Sequence, residues 1–258
     1  MEILSIHRLN EFHDIRVEEI RLLVHKLLSM PSPVPLKSVF YELTLNVIMR
    51  MISGKRYFGG VNQEMEAEGK VFREILDETF ILASASNGLI EQLRKSKETK
   101  AVNDRKTMIE LLLSLQKSEP EYYTDAMIQS FVMVLLTGGS DTSAGTMEWI
   151  MSLLLNHPQQ LKKAQVEIDR VVGNNRMKEL SRRGEGLAVR MIGMTLGSII
   201  QCFNWERISH DLVDMTEGPG IVMPKAVPLV AKCKPRLEMM NLMSRSDSQL
   251  RGVLNTSC

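Results

Sequence analysis

Cysteine is scarce in this sequence. Only three of its 258 residues are cysteines, namely Cys202, Cys233 and Cys258. They form no CxxC pair, so the sequence contains neither a cysteine-based zinc motif nor a disulfide framework. A small, odd number of cysteines is typical of a protein from a reducing compartment.

An excess of one charge is also lacking. The 32 basic and 31 acidic residues leave a formal net charge of +1, whereas a nucleic-acid-binding domain usually carries a basic excess. Nucleic acid is therefore not an expected partner. Long hydrophobic runs are missing too, because the longest uncharged apolar segments, 126–140 and 191–205, are shorter than the ~20 residues that span a bilayer. The first residues also lack the basic start and apolar core of a signal peptide.

What the sequence does contain is apolar residues at helical spacing. Hydrophobic residues make up 44% of the chain, and its 18 methionines suit either ordinary core filling or an adaptable pocket. The spacing, with its capping and breaking residues, predicts a mainly α fold. Helices are predicted over 11–28, 36–53, 64–82, 104–116, 124–156, 159–172 and 186–205. Short β segments are predicted over 221–223 and 229–233, in a small β region near the C-terminus, and a polar tail is predicted after about residue 236.

The predicted helix 124–156 contains two adjacent glycines, in the run Gly138-Gly139-Ser140-Asp141-Thr142. Each glycine costs about 1 kcal/mol relative to alanine in a helix interior. The pair would let a flat partner approach the backbone, and the Thr142 hydroxyl can bond to the Gly138 carbonyl. An acid beside a hydroxyl could relay protons. A plain helix kink or a tight helix–helix contact explains the same residues, and the residues alone leave these alternatives open.

The run Gly138 to Thr142 resembles the oxygen-groove motif of the cytochrome P-450 family of haem-thiolate monooxygenases, Ala/Gly-Gly-x-Asp/Glu-Thr. Further segments are similar to the same family, and together they resemble plant microsomal enzymes of the isoflavone 2'-hydroxylase-like group. They are residues 54–59, 119–125, 147–158, 165–173 and 184–188.

The resemblance implies one partial cytochrome P-450 domain over residues 1–258, that is, an incomplete form of this mainly helical fold. The family uses haem iron, O2 and electrons from an NADPH-cytochrome reductase to hydroxylate a substrate, here a small apolar plant metabolite. Family members of this group reside in the endoplasmic reticulum membrane. Since this chain lacks their N-terminal anchor, the expectation is a cytosolic or peripheral protein.

The resemblance also implies roles for individual residues. Asp141 and Thr142 would be catalytic and deliver protons during oxygen activation. Gly138 and Gly139 would let the helix lie over the porphyrin, and Arg183 would bind a haem propionate. Substrate would face Leu135 and Leu136 and the turn at 220–223.

The residue that should hold the iron is missing from its expected place. The family's haem loop reads Phe-x-x-Gly-x-Arg-x-Cys-x-Gly, whereas Arg183 is followed directly by Gly184-Glu185-Gly186. None of the three cysteines lies in such a loop, so no metal ligand is predicted and the chain is expected to be catalytically inactive. Loss of the cofactor should leave an apolar face exposed at 132–136. The alternatives are a functional haem-dependent monooxygenase and a non-catalytic helical fragment that binds apolar ligands or partners.

Overall fold

The structure, a computed structural model, describes residues 5–58, 107–172, 186–220 and 222–236. The predicted helix 64–82 and the predicted polar tail after residue 236 lie outside these residues. The described residues form seven helices and three strands. The helices are α1 (Ile6–Glu11), α2 (His13–Ser29), α3 (Leu36–Ser53), α4 (Met108–Ser118), α5 (Asp125–Asn156), α6 (Pro158–Val172) and α7 (Leu187–Cys202), and the strands are β1 (Val34–Pro35), β2 (Phe203–Arg207) and β3 (Val230–Pro235). The mainly α prediction, with a small β region near the C-terminus, is confirmed.

The chain divides into two compact units, and helices α2, α3, α5 and α7 each contribute residues to both. The described part of the first unit comprises residues 5–19, 40–58, 107–144 and 186–188. The second comprises residues 20–39, 145–172, 189–220 and 222–236.

The core of the first unit is built from apolar side chains of α3, α4 and α5. They recur at helical spacing and are almost completely shielded from solvent, as expected for amphipathic helices that pack together. These buried residues include Val47, Ile48, Ile109, Leu112, Ile128, Val132 and Leu136.

Two polar clusters hold the segment after α3 in the first unit. The Asn46 side chain accepts hydrogen bonds from the backbone N–H groups of Tyr57 and Phe58 and donates to the Phe58 carbonyl. The buried Glu19 carboxylate pairs with Arg50 at 2.8 Å and Arg56 at 3.0 Å. A buried carboxylate requires such partners, because water no longer solvates it.

The second unit contains a three-stranded antiparallel sheet in the order β1-β3-β2. Helix α5 is tied to the segment before β3, because Glu148 accepts a hydrogen bond from the Leu229 backbone N–H at 2.7 Å. Arg236 joins the end of β3 to α6 and α7 through the Asp169 carboxylate and the Gln201 carbonyl.

Three details of the sequence prediction are wrong. The helix predicted over 186–205 ends at Cys202, because Phe203 and Trp205 alternate with exposed residues in strand β2. The described part of the predicted strand 221–223 is not extended as a strand: Val222 lies in a turn and Met223 has a φ of 44°. Finally, the face 132–136 is not left open, since Val132 and Leu136 are buried and only Val134 is largely exposed.

Candidate functional site

The centre of the candidate site is the middle of helix α5, which is confirmed as one continuous helix from Asp125 to Asn156. The Thr124 hydroxyl caps its start by accepting from the Met127 backbone N–H at 3.2 Å, and Asp125 stands at the positive end of the helix dipole. The chain leaves the helix at His157, before Pro158. Within this frame Gly138, Gly139, Asp141 and Thr142 lie on two successive turns.

The two glycines have different surroundings. A side chain at Gly138 would meet nothing within 4 Å, whereas a Cβ at Gly139 would lie 2.7 Å from Ile48 Cδ1 of α3. Next to them, the Thr44 hydroxyl donates to the Ser140 carbonyl at 3.1 Å. A tight contact between α3 and α5 therefore accounts for Gly139, whereas of these two glycines only Gly138 has open space where a side chain would stand.

The acid and the hydroxyl of the motif are both accessible. Asp141 is half-buried and Thr142 is exposed, and the Thr142 hydroxyl donates to the Gly138 carbonyl as predicted. Ser130, Thr137 and Ser152 bond in the same way to the residue four positions earlier in α5. Because this bond is common in the helix, it does not by itself distinguish a proton relay from an ordinary helical hydroxyl.

The other residues expected at the site are only partly described, although Leu135 and Leu136 precede Gly138 on the same helix. Arg183 and Ile221 lie outside the described residues. Leu136 is buried in the core of the first unit and Leu135 is half-buried. The predicted roles of all these residues therefore remain predictions.

The two thiols that the structure describes do not fit an iron ligand. Cys202 ends α7 and Cys233 lies in β3 opposite Trp205, and both are buried. Burial raises the pKa of Cys202 to about 11 and that of Cys233 to about 12. A cysteine binds haem iron as the thiolate, and these positions favour the neutral thiol.

Nitrogen and carboxylate ligands are not gathered into a metal site either. Within the part of the chain that the structure describes, no three His, Cys, Asp or Glu side chains are placed to hold a metal ion. The His157 ring nitrogen lies 2.9 Å from the Leu153 carbonyl, as expected for a residue at a helix end. The described residues thus do not fit thiolate-ligated haem. Over the same ranges, no helix has the length and apolarity needed to cross a membrane.

One buried acid was missed by the sequence analysis. Glu148 is 1% exposed, and among the described residues its second carboxylate oxygen has no hydrogen-bond partner. It ties α5 to the Leu229 backbone within the second unit. Burial lowers the pKa of Lys225, and the charge of Glu148 offsets part of that lowering. An acidic residue between Met147 and Met151, on the buried side of an amphipathic helix, was the signal that could have identified it.

Comparison with known proteins shows the family. The sequence model of the cytochrome P-450 family matches residues 69–183. Cytochrome P-450 81Q32 of Catharanthus roseus is 33% identical over 95% of this chain and 73% of that protein. The (+)-piperitol/(+)-sesamin synthase CYP81Q2 of Sesamum radiatum is 31% identical over 98% of this chain and 73% of that protein.

The chain therefore belongs to the cytochrome P-450 family of monooxygenases. Within it, the chain falls in the plant group that includes the isoflavone hydroxylases. The isoflavone 2'-hydroxylase of Medicago truncatula, for example, is 30% identical over 92% of this chain and 72% of that protein. The resemblance found in the sequence is therefore confirmed both for the family and for the plant group.

The matches contain large internal gaps. The alignment with the Catharanthus protein extends over 368 positions, which is 110 more than the 258 residues of this chain. At least 110 residues of the relative therefore have no counterpart in this chain, and they lie inside the aligned region. The chain thus contains segments that are spread over most of the length of its relative, and it lacks the segments between them.

Proposed function

We propose that this chain is a non-catalytic member of the cytochrome P-450 family, unable to form a thiolate-ligated haem centre. The observation that carries the proposal is the run Arg182-Arg183-Gly184-Glu185-Gly186, which has no cysteine where the family places one. Without the thiolate, electron density is not supplied to iron in the way that O–O bond cleavage needs. The NADPH-cytochrome reductase and small apolar metabolite of the family would then have no catalytic centre to serve.

The remaining cysteines support the proposal. Cys202 and Cys233 are core residues whose raised pKa values favour the neutral thiol. The internal gaps of the alignment point in the same direction, since family segments are lacking between retained ones. What remains is a helical scaffold whose described apolar side chains are largely buried.

A second candidate function is that of a working haem-dependent monooxygenase. It is favoured by the Gly138 to Thr142 run, where an acid and a hydroxyl remain accessible beside a glycine with open space around it. This candidate needs a thiolate from one of the three cysteines, and the two described thiols would have to leave the protein core to supply it.

Reconstitution with haem separates the two functions. The purified chain would be incubated with haem, reduced under carbon monoxide and compared with a variant in which Cys202, Cys233 and Cys258 are all alanine. We expect the two proteins to give the same spectrum, without a thiolate-type Soret band, because no cysteine of the chain ligates the iron.

A thiolate-type band in the natural chain that is absent from the cysteine-free variant would overturn the proposal. Single variants would then identify the ligand, since only one of the three cysteine-to-alanine changes should abolish the band. Thr142→Ala provides a further check through oxygen consumption. It should leave any background consumption unchanged in this chain, whereas a working oxygen site would lose activity.

A further inference from the structure

The second unit contains a cavity away from the Gly138 to Thr142 run. Its volume is about 360 Å³, within the range of small-molecule sites. It is lined on its apolar side by the end of α5, the first turn of α6 and strand β2. The apolar lining residues include Leu155, Pro158, Leu161 and Trp205.

Basic groups surround the same cavity. Arg207 and Lys232 line it together with His210, whereas Glu206 is its one acidic lining residue. Glu206 lies 3.8 Å from Lys234, which is not among the lining residues, so its charge is already partly balanced. The first turn of α6, at the positive end of a 15-residue helix, adds to the positive potential at Pro158.

The two lining cations remain available for a ligand. Among the residues that the structure describes, neither Arg207 nor Lys232 forms an ion pair. Arg207 is half-buried at the end of β2, where the antiparallel register with β3 fixes its backbone opposite Ala231. A guanidinium held at the edge of an apolar cavity suits a carboxylate, because its N–H groups can donate to both oxygens.

We propose that this cavity binds a small aromatic carboxylate. The flat apolar body would lie against Trp205, Leu155 and Leu161, and the carboxylate would accept hydrogen bonds from Arg207, with Lys232 adding charge. Binding of this kind combines apolar burial with one oriented charged contact. This binding requires no haem, so the proposed binding site can be tested independently of the proposed function.

The test uses 2-naphthoate as the probe, titrated into the full chain by calorimetry and followed by the indole N–H signals in NMR. The chain has two tryptophans, and only Trp205 lines the cavity. We expect saturable binding of one molecule that shifts the Trp205 signal. Trp149, whose indole N–H donates to the Met223 carbonyl at 3.0 Å, should keep its signal unchanged.

Matched variants test the charged contact. Arg207→Gln should weaken binding of 2-naphthoate about tenfold, because a hydrogen bond between charged groups is lost. Arg170→Gln removes an arginine from α6 outside the cavity and should leave the affinity unchanged. Lys232→Gln, at an exposed position, provides a second cavity variant and should weaken binding even if Arg207→Gln does not fold.

The neutral probe 2-naphthamide should bind about tenfold more weakly than 2-naphthoate, since it offers no charge to the cavity. The proposal is overturned if the amide binds as tightly as the carboxylate, or if Arg170→Gln weakens binding as much as Arg207→Gln. It is equally overturned if no saturable binding occurs or if the Trp149 signal moves in place of that of Trp205.

Discussion

At the scale of single residues, the adjacent glycines of α5 have different physical roles. Gly139 allows α3 and α5 to approach closely, because a methyl group there would overlap Ile48 Cδ1. Gly138 has open space where its side chain would be. The helix therefore carries the conformational cost of two glycines, but packing explains only one of them.

Alanine substitutions should separate the two glycines. Gly138→Ala should raise the free energy of unfolding by about 0.5–1 kcal/mol, because alanine has the better helix propensity and meets no neighbour. Gly139→Ala gains the same propensity but must displace the Cδ1 end of the Ile48 side chain, which offsets part of that gain. Urea unfolding should therefore show Gly139→Ala to be the less stable variant.

Ile48→Val provides the control, because it removes the methyl group that Gly139→Ala would overlap. The two changes should be coupled, so that the double variant is more stable than the sum of the single effects predicts. Equal stability of the two glycine variants would contradict the assignment of close packing to Gly139. This role was open in the sequence, since nothing in the run Gly138 to Thr142 indicates that Ile48 is its neighbour.

At the scale of secondary-structure elements, α4 has a complete capping box at its start. The Thr107 hydroxyl accepts from the Glu110 backbone N–H, and the Glu110 carboxylate accepts from the Thr107 backbone N–H. Both donors would otherwise lack partners in the first turn of the helix.

Thr107→Ala should therefore lower the free energy of unfolding by about 1 kcal/mol. Ser118→Ala, at the other end of α4, is the matched control. Its exposed hydroxyl donates only to the Leu115 carbonyl, and we expect a change below about 0.5 kcal/mol. If chemical denaturation finds both variants equally stable, the capping box does not stabilise the protein.

Element types were predictable from the sequence more reliably than their ends. The apolar spacing of α3 and α5 identified both helices, and α3 has the predicted bounds 36–53. The end of α7 was misplaced because the apolar run continues through Phe203 and Trp205. These residues pair with β3, so their buried side chains alternate as in a strand and no longer follow the helical spacing. Strand β1 was missed because its two residues, Val34 and Pro35, are too few to show a period.

At the scale of the whole molecule, the sequence predicted the family but not the packing around its motif. The Gly138 to Thr142 run identified a cytochrome P-450 only together with further segments such as 147–158 and 165–173, because the run alone also fits a helix kink or a tight helix–helix contact. The bonds that tie distant segments together, such as Glu19 to Arg50 and Arg56, depend on tertiary structure and leave no local pattern. The cavity beside Arg207 is likewise assembled from separate segments and could not be read from the sequence.

The buried thiols connect stability to alkaline pH. Burial raises the pKa of Cys202 from 9.0 to about 11 and that of Cys233 from 9.0 to about 12. The folded state therefore favours the protonated thiols, and the unfolded chain releases their protons at lower pH. Their contribution to stability is complete below about pH 9 and is lost as the pH rises toward 11 and 12.

The free energy of unfolding should thus decrease with rising pH in this alkaline range. In a variant with alanine at Cys202 and Cys233, the free energy of unfolding should decrease less steeply with pH. The variant also loses packing, but that loss does not depend on pH, so the slopes of the two proteins can be compared directly. Iodoacetamide labelling at pH 8, resolved by peptide mass spectrometry, should modify both cysteines far more slowly in the folded chain than in urea. Rapid labelling of either cysteine in the folded chain would mean that a reactive thiolate exists there, and it would then restore that cysteine as a candidate iron ligand.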